Sequence, residues 1–276
     1  MNIRYPVHPE HVKTFDTNTL RKQFLVTDIF VPGTVTMTYS HIDRIIIGGV
    51  YPNGKSISLQ VGKELAAEYF LERREMGIIN VGGPGRVSVD GKQYELSFRD
   101  GLYIGRGAKE VSFSSDSSKG PPKFYFNSTP SFQNLPSKKI TTEDALKIGV
   151  GEESTCTKRT IYQYIHPEIV DSSQLLMGLT ELYASNVWNT MPPHTHGRRM
   201  EVYFYFNLPG DHVVFHFMGE PCETRHVVVR NEQAVISPSW SIHGGAGTTN
   251  YTFIWAMAGE NQDFTDMDGV SLTEIR

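Results

Sequence analysis

Between Arg44 and Gly259 the chain is a succession of short apolar runs, each closed by a turn residue. "RIIIGGV", "GIINVGG", "GRVSVDGKQYEL", "EVSFSS", "KFYFNS", "MEVYFYFNL", "HVVFHFMG", "RHVVVRNEQAVISP" and "YTFIWAMAG" are rich in Val, Ile, Phe and Tyr, and many alternate with period two. Successive side chains of a strand point to opposite faces, so this pattern predicts half-buried antiparallel strands. Turn signals at such short intervals leave a sandwich or a barrel as the architecture. Asp90-Gly91 in "VDGKQYEL" is a two-residue hairpin signal. Helical signals are few. "TNTLRKQFLV" near the start and "TTEDALKIG" from Thr141 are the best, the latter with Thr142, Glu143 and Asp144 arranged as a helix start.

The strand pattern occurs twice. The segment from Phe70 to Phe113 has an Arg-Arg-acid stretch, a strand, a Gly-containing turn, a strand, an acidic turn and a strand, and "HGRRMEVYFYFNLPGDHVVFHFMG" together with "VVVRNEQAVISPSWSIH" repeats that layout. Two β-barrel domains of similar build are expected, an N-terminal one over residues 1–130 and a C-terminal one over residues 156–276. A linker over residues 131–155 is poor in β pattern.

Composition removes several classes of function. With 39% hydrophobic and 20% charged residues the chain is globular rather than disordered, and a net charge of −4 without a Lys/Arg block argues against nucleic-acid binding. No apolar run approaches the roughly 18 residues of a membrane span, and the opening "MNIRYPVHPEHVKTF" lacks the apolar core of a secretion signal. Cys156 and Cys222 stand far apart and outside any Cys-x-x-Cys pair, so neither a disulfide framework nor a thiolate zinc site is expected. The expectation is a cytoplasmic setting without membrane or nucleic-acid partners.

The chemistry concentrates in "PPHTHGRRMEVYFYFN". His194 and His196 are two apart, and on a strand both reach the same side. Glu201 lies an odd number of positions further on, so a straight strand would turn it away, and Gly197 offers a bend that returns it. Glu201, Tyr203 and Tyr205 then share a face. A further imidazole, His243, ends "ISPSWSIH" and precedes two glycines. Three imidazoles and a carboxylate suit Zn, Mn, Fe, Co or Ni, and donor type does not choose among them. Glu201 is also a candidate base and Tyr203 a candidate catalytic phenol. Arg198, Arg199 and Arg225 are the candidates for holding an anionic group of a substrate. His212, His216 and His226 lack a comparable set of partners and read as surface or supporting residues. "GGPGRVSVDG" has neither the order of a phosphate loop nor a following helix, and reads as hairpin turns.

These residues resemble the cupin pattern of His-x-His, a few residues, Glu, and later Pro-x-Gly-x-x-His. Here Trp240 stands where the second element has Gly, and the Gly expected after the Glu comes late, at Gly210. Within the cupins, "YSHIDRIIIGG", "FLERRE", "GLTEL", "HTHGRRMEVYFYFN", "ETRHVVVRNEQAVISPSWSIH" and "YTFIWAMAGENQ" are similar to the uronate ketol-isomerases. The resemblance runs from about residue 10 to the C-terminus. It implies a mainly β fold of two cupin-type barrels (double-stranded β-helices), only the second holding metal. It implies one zinc ion per subunit on His194, His196, Glu201 and His243, a homohexamer, and a small-molecule uronate substrate from pectin breakdown. An iron-dependent cupin dioxygenase would use the same donors, and a sugar-binding cupin without catalysis is the alternative from another class.

Overall fold

The computed structural model describes residues 1–115 and 120–276. It consists of strands, with Pro9–Val12 and Thr17–Phe24 the α-helices among the described residues. Thr17–Phe24 forms where "TNTLRKQF" predicts a helix. Asp16 caps it by accepting from the Thr19 amide at 2.7 Å, and Leu20 and Phe24, one turn apart, are its buried face. The segment from Thr141 is not a helix. The Asp144 carboxylate takes the Thr141 amide at 2.8 Å and its hydroxyl at 2.7 Å, so a helix-start turn does form. The chain then leaves it directly for the strand Leu146–Val150. Ile148 and Ile161, paired across the ladder to Arg159–Ile165, draw it there, an instance of tertiary context overriding a local signal.

The chain forms two compact units. One comprises residues 1–3, 28–145 and 164–177, the other residues 4–27, 146–163 and 178–276. Each is built on two antiparallel sheets in a jelly-roll-like sandwich rather than a closed barrel. In the first unit Ile46–Val50, Phe124–Pro130, Arg74–Asn80 and Gly101–Ile104 are neighbours in the larger sheet. Ile57–Ser58, Val111–Ser115, Gly85–Val89 and Lys92–Leu96 make the smaller one. The inner faces meet in one apolar cluster that includes Phe126, Met76, Val87 and Phe113. The hairpin read from Asp90-Gly91 is there. Val89 pairs with Lys92, and both turn residues have positive φ, 47° and 84°.

The second unit repeats this order. Leu176–Leu182, which belongs to this unit from Gly178 on, Thr252–Gly259, Arg199–Phe206 and Gln233–Ser237 are neighbours in its larger sheet. Trp188–Thr195, His243–Gly247, Val214–Glu220 and Glu223–Val229 follow one another in the smaller. The internal echo in the sequence is therefore a repeat of topology.

Candidate metal centre

His194 and Glu201 do not share a strand. Trp188–Thr195 belongs to the smaller sheet and ends just before His196. A turn closed by the Arg199 amide on the His196 carbonyl at 3.2 Å then starts Arg199–Phe206 in the larger sheet. The turn at Gly197 thus returns Glu201 to the histidines from the opposite sheet. A second irregularity aims His194. Asn189 pairs with Gly245 and His194 with His243, so four residues on one strand oppose the single Gly244 on the other. This bulge crowds its partner strand. A Cβ on Gly244 would lie 3.0 Å from the Thr190 carbonyl, and one on Gly245 would lie 3.0 Å from Asn189 Nδ2. The two glycines after His243 therefore make room within a strand, and His243 opens that strand rather than ending one.

The result is a convergence of four donor atoms. Nε2 of His194 lies 3.1 Å from Nε2 of His196 and 2.9 Å from Nε2 of His243. Oε2 of Glu201 lies 3.1 Å from His196 Nε2 and 3.0 Å from His243 Nε2. All four atoms fall within 4.8 Å of one another. A tetrahedron of donors around a divalent ion at 2.0–2.1 Å has edges of roughly 3.4 Å, so the set has the right size.

Hydrogen bonding on the far side of the rings points the same way. His196 Nδ1 faces the Asp266 carbonyl at 2.9 Å. A carbonyl only accepts, so Nδ1 carries a proton, and Nε2 either turns a lone pair to the cluster or charges the ring. Arg199 Nε also approaches Nδ1, at 3.4 Å, but there two donors face each other, and the shorter bond decides the tautomer. Burial, then the imidazoles of His243 and His196, push His194 down to about 2, which keeps it neutral. Burial would raise the Glu201 carboxyl. The His243 charge and hydrogen bonds from His196 and His243 outweigh that and hold it well below the usual carboxylate range. One proton cannot bridge four such donors, whereas a divalent cation satisfies all of them. The residues fit a metal.

The cluster lies at a cavity of about 380 Å³. Its walls are mainly apolar, with Phe253, Trp255, Met257 and Phe264 among them, and Thr180, Thr190, Tyr203 and Arg159 supply polar groups. Tyr203 is fully buried, and its hydroxyl lies 3.3 Å from that of Thr190. Burial and then the Glu201 charge hold its phenol well above the usual range, so it remains a donor. Tyr205, on the same face, pairs instead with His216 Nδ1 at 2.8 Å, which makes His216 a buried supporting residue.

None of the three arginines read from the sequence lines the cavity. Arg198 is exposed and pairs with Asp266 and Asp268. Arg225 bonds Glu223 at 2.9 Å and the Lys13 carbonyl at 2.5 Å, at a separate depression. Arg199 is 1% exposed and donates to the carbonyls of Asp263, Phe264 and Asp266. It therefore fixes the segment whose Asp266 carbonyl orients His196. Partners behind a ligand set its tautomer and angle, and losing one typically costs 10- to 100-fold in metal affinity. Arg199→Met is expected to weaken divalent-metal binding by roughly that factor, as measured by competition with a chelator of known affinity.

Arg159 is the residue that sequence reading missed. It stands 35 positions before His194 at the start of an unremarkable strand, with no motif around it. Only the fold brings it to the cavity.

The KduI/IolB family pattern matches residues 25–271. The 4-deoxy-L-threo-5-hexosulose-uronate ketol-isomerases of Enterobacter sp. (strain 638) and Escherichia coli (strain SE11) are each 55% identical over 278 residues, covering 100% of both chains. Among solved structures, an IolB-like protein from Salmonella typhimurium LT2 superposes with a TM-score of 0.71 at 15% identity, over 90% of this chain and 96% of that one, a likeness of fold. A family match spanning nearly the whole chain, together with relatives of this identity at full length, establishes that the chain belongs to the KduI/IolB family.

Proposed function

We propose that this chain is a 4-deoxy-L-threo-5-hexosulose-uronate ketol-isomerase. It converts 5-dehydro-4-deoxy-D-glucuronate to 3-deoxy-D-glycero-2,5-hexodiulosonate in the breakdown of pectin and uronates. The observation that carries this reading is the 55% identity, over 100% of this chain and of theirs, to relatives of that name. The cavity is consistent with it, since it joins a metal-competent cluster to a half-enclosed apolar space of the size of a small sugar acid.

The ligands proposed are His194, His196, Glu201 and His243, with one zinc ion per subunit. A cation held there supplies Lewis-acid polarisation of a carbonyl oxygen. The chain's own groups do the rest. Phe253, Trp255 and Phe264 give the sugar chain an apolar wall to lie against. The Tyr203 phenol, held protonated, donates to a substrate oxygen as negative charge develops on it. Glu201 engages the imidazoles through Oε2, which leaves Oε1 to carry the proton from C2 to C1. The hydroxyl proton on O2 passes to O1, so the isomerisation consumes no oxidant or reductant. A cytoplasmic homohexamer is proposed with this reading, and its mass in solution checks the assembly.

The test is an anaerobic assay of purified protein on the 4-deoxy-5-ketouronate, with elemental analysis of the same sample. The expected result is isomerisation without oxygen and about one zinc per chain. Oxygen consumption with bound iron would replace this reading by a cupin dioxygenase. A substrate carrying deuterium at C2 is expected to lose label to solvent. Complete retention at C1 would replace proton transfer by a hydride shift.

A further inference from the structure

We infer that Arg159 binds the carboxylate of the substrate, fixing which end of the sugar acid meets the metal cluster. The inference rests on the isomerase reading above and extends it to substrate orientation. Arg159 begins the strand Arg159–Ile165 and pairs with Val150 across the ladder, and both side chains line the cavity. Its Nη1 donates to the Thr157 carbonyl at 2.7 Å. The ionisable groups acting on it are the phenols of Tyr203 and Tyr251, both held above their usual range by burial and therefore uncharged. Among the described residues no carboxylate stands against it.

A partly buried guanidinium in an apolar enclosure is costly unless an anion meets it. The other guanidinium groups of this region are already committed. Arg198 has Asp266 and Asp268, and Arg199 has three backbone carbonyls. Arg159 alone among the described residues brings an uncompensated positive charge to the cavity that the cluster occupies. A guanidinium presents parallel N–H groups that match a carboxylate in two-point fashion, and a hexuronate carries its carboxylate at the end of the chain opposite the aldehyde. A ligand spanning the cavity with its carboxylate on Arg159 therefore delivers C1 and C2 to His194, His196, Glu201 and His243. A neutral sugar leaves the guanidinium uncompensated, so the same residue selects for uronates.

The test compares wild type, Arg159→Gln and Arg159→Lys on the uronate and on its C6-alcohol analogue, in which the carboxylate is reduced. Arg159→Gln is expected to raise KM for the uronate roughly 10- to 100-fold, the worth of a charge-assisted pair. Its kcat/KM on the alcohol should stay within about two-fold of wild type on that compound. Arg159→Lys should recover part of the loss, and metal content should not change. An unchanged KM for the uronate, or equal losses on both compounds, overturns the inference. If wild type isomerises neither compound, the isomerase reading fails, and calorimetric binding of D-glucuronate decides the role of Arg159 separately. Tighter binding by wild type than by Arg159→Gln supports it. Equal binding, including none by either, overturns it.

Discussion

His243→Ala is expected to lose about three orders of magnitude in kcat/KM together with stoichiometric metal. Carbonyl polarisation by a bound cation is worth several kcal/mol, and about 4 kcal/mol corresponds to that factor. Removing His243 takes away the donor that sits 2.9 Å from His194 Nε2 and 3.0 Å from Glu201 Oε2, so two of the close contacts of the cluster disappear at once. Stability supplies a second readout. Metal that binds the folded cluster and not the unfolded chain adds its binding energy to stability, about 4 kcal/mol when free ion stands at a thousand times Kd. Wild type should therefore melt well above its chelator-treated form, and the gap should close in His243→Ala. A variant that purifies with a full complement of metal and near-normal turnover would place the engine of the enzyme elsewhere.

The parts of this site legible in the sequence are those whose meaning is local. His194, His196 and Glu201 fall within eight residues, and His243 is marked by the Pro238 turn ahead of it. Their convergence depends on features that carry no local signal. The four-residue bulge before His194 is visible only as a register shift, and the glycines after His243 serve a close approach that composition cannot distinguish from a turn. Proximity in sequence also misleads. Arg198 and Arg199 adjoin the cluster residues in the chain, yet one pairs with aspartates at the surface and the other is buried behind His196. Arg159, remote in sequence, reaches the cavity because Arg159–Ile165 and Leu146–Val150 pair at the edge of the larger sheet. The β class and the repeat are legible because alternation is a property of each strand. The Thr141 segment reads falsely as a helix because its capping turn is real and the strand after it is decided by pairing.

Glu75→Ala is expected to destabilise the first unit by about 3–5 kcal/mol, the cost of stripping the charged partner from a buried network. Register explains why this residue matters. Ile79 pairs with the first residue of Gly101–Ile104, and Tyr205 pairs with the first residue of Gln233–Ser237. Glu75 and Glu201 each stand four positions earlier, so Glu75 occupies in the first unit the place that Glu201 occupies in the second. The imidazoles have no such counterparts. Val111 faces Val89 at the start of its strand, where His243 opens the equivalent one, and the Leu59 amide bonds the Val111 carbonyl on the side where His194 meets His243. With apolar neighbours in place of donors, the carboxylate is satisfied differently. Oε2 accepts from the Tyr103 hydroxyl and the Ser173 amide, each at 2.7 Å. Oε1 accepts from the amides of Gln174 and Leu175, at 2.9 and 2.8 Å, and from the Thr129 hydroxyl at 3.2 Å. Burial and then the Glu75 charge hold the Tyr103 phenol well above its usual range, which preserves it as a donor. The same acid that would grip a cation in one unit thus pins the chain at 173–175 in the other. Alanine leaves three amides, that of Leu175 buried and those of Ser173 and Gln174 half-buried, and two hydroxyls without this acceptor, and glutamine turns a donating NH2 group toward some of them, so both variants should unfold at markedly lower urea. Glutamine offers little rescue despite its matching shape, because each carboxylate oxygen faces at least one backbone amide, which only donates, so either placement of the NH2 group sets donor against donor. An unchanged unfolding midpoint in Glu75→Gln would mean that the five donors are not what this carboxylate is there to satisfy.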